Sequence, residues 1–143
     1  NPLVGIVRPM PNVDPNRYDN PVFNFFNLFF TRNSLRDFLA LRTDKWDTGN
    51  VHVCGYYCKD GKRSWTNWDS TIEYFEFWEG MEGCDPGDTI GMLLNLDEGT
   101  LTVYKNNRRL GVMKDGLSGS YCWYASSYGE ATITIERCDP PLA

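Results

Sequence analysis

Between Pro86 and Glu136 the chain is a nearly unbroken succession of short β-prone runs separated by turn residues, and this layout constrains the fold more than any other feature. Thr89 to Leu96 is apolar, Asp97-Glu98-Gly99 has turn chemistry, and Thr100 to Tyr104 alternates polar and apolar side chains before Lys105-Asn106-Asn107 turns the chain again. Period-2 alternation lays one strand face on a core, and Asp, Asn and Gly adopt the backbone conformations that tight turns need. These two runs therefore predict a hairpin, with Leu94 read as a core position. Leu110 to Met113 is a third short strand, and Asp115-Gly116 and Ser118-Gly119 are turn pairs. Ala131-Thr132-Ile133-Thr134-Ile135 is β-branched with strict period 2 and predicts a final strand. Strands of this kind need a second apolar layer to cover them, so the expected class is all-β, an antiparallel β-sandwich.

The string GDTIGMLLNLDEGTLTVYKNNRRLGVMKDGLSGSYCWYASSYGEATITI resembles the C-terminal half of a SPRY domain. It carries the G-D-x-I-G-x-L-L-x-L-D-E-G-T-L strand pair, the L-G-V-x-x-x-G-L-x-G connection and a final strand. The resemblance is good over about residues 86 to 137, looser from Gly55 to Cys84 and absent over most of residues 8 to 50, while Val4-Gly5-Ile6-Val7-Arg8-Pro9 looks like an earlier strand of the same fold. It implies a bent, concanavalin-like two-layer sandwich that works without catalysis as a protein–protein interaction module, an adaptor, scaffold or subunit of a larger assembly. In SPRY domains that capture short peptides, an aromatic residue in the turn before the last strand helps to build the pocket. Here that position falls on Tyr128, within Ser126-Ser127-Tyr128-Gly129. The resemblance thus implies partner contacts for Tyr128, with Ser126 and Ser127 offering hydrogen bonds and Tyr18 or Arg17 reaching the same edge from the long preceding loop. Packing of the final turn is the competing role for Tyr128.

Family members carry several strands before the Val-Gly-Ile strand, whereas only Asn1-Pro2-Leu3 precedes it here. The expectation is that the first strands are supplied by a longer parent chain, with replacement by Phe23 to Leu41, or completion by a neighbouring subunit through strand addition, as the alternatives. Residues 1–143 read as a single SPRY-like domain, since a chain of this length buries roughly two-thirds of its unfolded surface around one core. Residues 8–50 form a long insertion. Pro9, Pro11, Pro15 and Pro21 predict an extended surface loop; Phe23, Phe25, Phe26, Leu28, Phe29 and Phe30 suit either a core or a partner groove; and Ser34 heads a short helix on which Leu35, Phe38, Leu39 and Leu41 lie near helical spacing.

Charge and cysteines limit the functional classes. Net charge is −5, and the acids concentrate in the middle, where Glu73, Glu76, Glu79, Glu82, Asp85 and Asp88 recur every third residue and no Lys or Arg falls between Arg63 and Lys105. Such a segment repels phosphate, which disfavours nucleic acid, and steers a basic protein surface if it is not simply a solvated edge. No apolar run approaches the roughly 20 residues that span a bilayer. Five cysteines, Cys54, Cys58, Cys84, Cys122 and Cys138, an odd number without a leader-like N-terminus or an Asn-x-Ser/Thr sequon, predict reduced thiols in an intracellular, cytoplasmic protein. His52, Cys54 and Cys58 lack the C-x-x-C knuckle and fourth ligand of a structural zinc site, so neither metal nor cofactor is expected.

His52 is the only histidine, no Gly-rich phosphate loop is present, and Asp97-Glu98 is the turn itself; no catalytic constellation is expected. The main competing function is carbohydrate binding. Five tryptophans are many for this length, and Trp65-Thr66-Asn67-Trp68-Asp69 sets two indoles beside amide and carboxylate groups, as sugar-binding sandwiches do. Burial of most of these indoles is the alternative.

Overall fold

A computed structural model describes residues 2–8, 51–66, 74–126 and 132–139. The hairpin expected from the turn chemistry is present as strands β5 (Ile90–Asn95) and β6 (Thr100–Lys105), with β7 (Arg108–Lys114) beside it. Asn95 Oδ1 accepts from the Asp97 and Glu98 amides at 3.1 and 3.2 Å, which starts the β5–β6 turn. Between β6 and β7, Asn106 and Asn107 take φ of 50° and 66°. Two consecutive left-handed residues match the right-handed twist of the flanking strands, and Asn tolerates that region better than other non-glycine residues. The three strands form one antiparallel sheet in the order β5-β6-β7.

A second antiparallel sheet has the order β4-β3-β2-β1-β8, built from β1 (Leu3–Val7), β2 (Val53–Tyr57), β3 (Arg63–Thr66), β4 (Tyr74–Glu76) and β8 (Cys122–Ser126). The Val-Gly-Ile strand is thus β1, paired on one side with β2 (Ile6 opposite Cys54) and on the other with β8 (Ile6 opposite Trp123). Side chains on both of its faces are buried: Ile6, Cys54 and Tyr56 on one, Leu3, Val7, Val53 and Ser64 on the other. A strand buried on both faces reads as a continuous apolar run, which is why Leu3-Val4-Gly5-Ile6-Val7 shows no polar alternation.

The core lies between the two sheets. Ile6, Cys54, Tyr56 and Trp78 meet Leu101, Val103, Met113 and Leu117 across it. Each large apolar side chain fully removed from water there contributes about 1.5–3 kcal/mol. Arg63 ties the layers polarly: Nη1 donates to the Met113 carbonyl at 2.6 Å, while Nε and Nη2 each lie 2.9 Å from Glu76 Oε2. Trp65 sits on β3, donating Nε1 to the same Glu76 oxygen at 3.1 Å beneath the Lys114 ammonium, which is 4.1 Å from its ring centroid. Trp78 is buried and donates to the Gly61 carbonyl at 2.6 Å. Both indoles serve packing.

Two sequence expectations are corrected, and one strand is added. The period-2 segment ending at Ile135 is not a strand: Thr132–Asp139 has no regular structure, and Ile135 is 71% exposed. Alternation supplies propensity, but a strand also needs a ladder partner, and no described strand pairs with this segment. Conversely Cys122–Ser126, to which the sequence reading gave no element, forms the edge strand β8. Leu94 packs against the core without being enclosed by it, because β5 is the edge of the smaller sheet. Among the described residues there is no helix; the insertion and its expected helix lie outside them, apart from Arg8.

Candidate binding surface

Of the five residues expected to contact a partner, Ser126 is the last residue of β8, its backbone in register with Leu3 of β1. Arg17, Tyr18, Ser127 and Tyr128 lie outside the described residues. The register places the end of β8 at a corner shared with the start of β1 and the end of β2, since Leu3 also faces Tyr57 and Cys58 N–H donates to the Pro2 carbonyl at 3.0 Å.

The same strand carries Trp123, an aromatic residue that sequence reasoning did not single out for the surface. Trp123 opposes Ile6, so its side chain points to the inner face of the five-stranded sheet, yet it is 54% exposed. Among the described strands the cause is width: three strands spaced about 4.8 Å apart do not cover five. On the smaller sheet, β5 pairs only with β6 among the described strands, and Ile90, Met92 and Leu94 are half-buried. A shallow hollow of about 460 Å³, lined by Leu93, Leu94, Asn95, Leu96 and Asp97, lies at the end of that strand. The available signal was the run Cys-Trp-Tyr-Ala-Ser, which alternates too poorly to be read as a strand.

The acidic middle is largely occupied by its own cations. Glu76 is held by Arg63, and Glu82 by Lys105 Nζ at 2.9 Å and Arg108 Nη2 at 2.8 Å. Asp88 accepts from Asn106 Nδ2 at 3.0 Å and lies 3.8 Å from Lys105. These groups bind the 79–88 segment to the β6–β7 turn, leaving less charge to steer a basic partner. Hydrogen bonds from Arg108 and then Lys105 hold the Glu82 carboxyl below the ordinary glutamate range, and Asn106 followed by the Asp85 amide does the same for Asp88. Depressed folded-state values mean stability that is present above the unfolded values and lost as pH falls through the folded ones. The chain is therefore expected to lose thermal stability below the ordinary carboxylate range, and Glu82→Gln to flatten that acid limb by lowering stability slightly at neutral pH while leaving the acid end unchanged, as a series of thermal melts across pH reads directly. Because the carboxylate is open to solvent, the change is small.

The nucleophilic side chains are enclosed. Burial pushes the Cys54 and Cys58 thiols up to about 12, the latter reinforced by Cys84. His52 is buried. Arg8 is buried too, stacked 4.1 Å from the Tyr121 ring centroid and donating Nη1 to the Ser120 carbonyl at 3.1 Å. Among the described residues no group of three or more His, Cys, Asp or Glu is arranged to hold a metal ion, and no helix is long and apolar enough to cross a membrane. Comparison of the chain with protein-family models, with curated proteins and with solved structures finds no match.

Proposed function

We propose that this chain is a non-enzymatic, SPRY-like interaction module whose rim and open sheet face take a partner polypeptide. The reading rests on one observation, Trp123 standing half in solvent on a sheet face that its facing layer is too narrow to cover. A flat indole with its desolvation left incomplete is the kind of side chain that anchors interfaces. On the side away from β6, β5 has no partner among the described strands, an edge suited to an extended segment that adds a strand. The resemblance of the 86–137 segment to SPRY domains adds Tyr128, two positions after β8 in the sequence, as a partner contact. Against catalysis stand the burial of His52 and the raised thiols of Cys54 and Cys58, which leave little thiolate at neutral pH.

Affinity capture with the intact chain, compared with Trp123→Ala and Tyr128→Ala, tests the proposal. A protein retained by the unaltered chain is expected to lose at least roughly tenfold in affinity on either substitution, the range of an interfacial aromatic anchor, with the thermal midpoint moving only a few degrees. Equal loss of folding and capture would make both residues structural. An exposed Trp also suits a sugar face, so a titration of glycans against Trp fluorescence is the control. A saturable response abolished by Trp123→Ala would assign the surface to carbohydrate instead.

A further inference from the structure

The turn after β2 and the segment from Gly80 to Pro86 meet at a corner where two cysteines are brought together from 26 positions apart in sequence. The Cys84 amide donates to the Cys58 carbonyl at 2.8 Å. The Tyr56 hydroxyl donates to the Glu82 carbonyl, and the Trp78 indole to that of Gly61. A Cβ on Gly83 would lie 2.5 Å from the Lys59 carbonyl oxygen, so the two backbones run in contact. After burial, the neighbouring Cys84 thiol is the main influence that holds the Cys58 thiol up. A backbone hydrogen bond between two residues brings their Cα atoms to about the 4.4–6.8 Å span that a disulfide bridges.

We propose that Cys58 and Cys84 are a redox modification site, a dithiol that a peroxide closes to an intramolecular disulfide, stapling the Gly80–Pro86 segment to the end of β2. Cys84 is the more exposed of the two and meets the oxidant first. Its thiolate takes one oxygen from hydrogen peroxide; the O–O bond breaks, and the departing hydroxide gains the proton that the thiol released, leaving a sulfenic acid and one water. The Cys58 sulfur then displaces hydroxide from the sulfenic sulfur. The S–S bond forms, the S–O bond breaks, and the Cys58 proton leaves with the hydroxide as a second water. Two thiols lose two electrons and two hydrogens, and one peroxide becomes two waters. Burial pushes the Cys58 thiol up to about 12, so its attack is the slower step and quickens as pH rises. The other thiols are placed differently: Cys54 lies on β2 in the enclosed core, and Cys122 and Cys138 are exposed.

The test uses the intact chain with Cys122→Ser and Cys138→Ser, so that exposed thiols cannot join molecules. After hydrogen peroxide, alkylation and trypsin without reduction, cleavage at Lys59, Lys62 and Arg63 puts the two cysteines on separate peptides. The expected product is a linked pair two hydrogens lighter than the sum of its parts, with fragment ions placing the bond at Cys58 and not Cys54. Closing a loop of this length is expected to raise the thermal midpoint by roughly 5–10 °C, reversed by dithiothreitol. Cys84→Ser, at a half-exposed position, removes both effects and keeps the fold. Recovery of both thiols unmodified, conversion of Cys84 to sulfinic acid with Cys58 still free, a bond to Cys54, or a linked species whose midpoint fails to rise would each overturn the proposal.

Discussion

Leu101→Asp is expected to abolish cooperative folding, or to lower stability by at least about 4 kcal/mol, when urea denaturation is followed by Trp fluorescence. Leu101 is completely enclosed in β6, the central strand of the smaller sheet, between Leu94 on β5 and Lys114 on β7. A carboxylate there loses its hydration among apolar neighbours, and the cation opposite it in the register, Lys114, is already engaged over the Trp65 ring. Leaving a charge buried and unpaired costs several kcal/mol beyond the lost apolar burial, which is comparable to the whole 5–15 kcal/mol of a typical domain. Leu94→Asp, directly opposite in the register, is the informative contrast. Its side chain packs on the same core but stands on the outermost described strand of its sheet, where a carboxylate reaches water by a rotamer change. About 1–2 kcal/mol is expected for it. Equal losses would mean that the free β5 edge is covered, and the open face proposed for partner binding would go with it.

How much of this was legible beforehand follows from where each signal resides. The β5–β6–β7 meander was readable because its determinants are local: Asn95, Gly99, Asn106 and Asn107 set the turns by their own side-chain and backbone preferences. β1 was readable only through resemblance, since burial on both faces erases alternation. The failure at Thr132–Ile135 and the omission of β8 are two sides of one limit. Strand propensity is a property of a segment, whereas strand formation is a property of a pair, and Cys122–Ser126 has β1 as a neighbour while the more β-prone Ile133 and Ile135 have no described one. The exposed Trp123 was invisible for a related reason. Its exposure depends on how many strands the opposite layer contains, a quantity that no residue near it encodes. The Cys58–Cys84 corner likewise depends on a long-range crossing between the β2–β3 turn and the acidic segment.

Gly5→Ala is the second substitution with a large expected effect, about 3 kcal/mol or more, and it connects the fold to the proposed surface. Gly5 lies at the middle of β1, opposite Gly55 on β2 and Tyr124 on β8. A Cβ there would overlap the Cys54 carbonyl oxygen and stand 2.7 Å from the Gly55 Cα. Backbone atoms of a paired strand cannot step aside without breaking ladder bonds, so the added methyl must push β1 and β2 apart. Gly55→Ala is the control, because its Cβ would meet side chains, the Tyr124 hydroxyl and Leu3 Cδ1, which have some freedom to shift; about 1–2 kcal/mol is expected for it. Since β8 is held only by β1 among the described strands, displacing β1 also loosens the strand that presents Trp123. Gly5→Ala should therefore lower the thermal midpoint and weaken partner capture together, whereas Trp123→Ala weakens capture alone. A Gly5→Ala variant as stable as the Gly55→Ala control would show that β1 and β2 have room between them, and the tight central ladder described above would have to be abandoned.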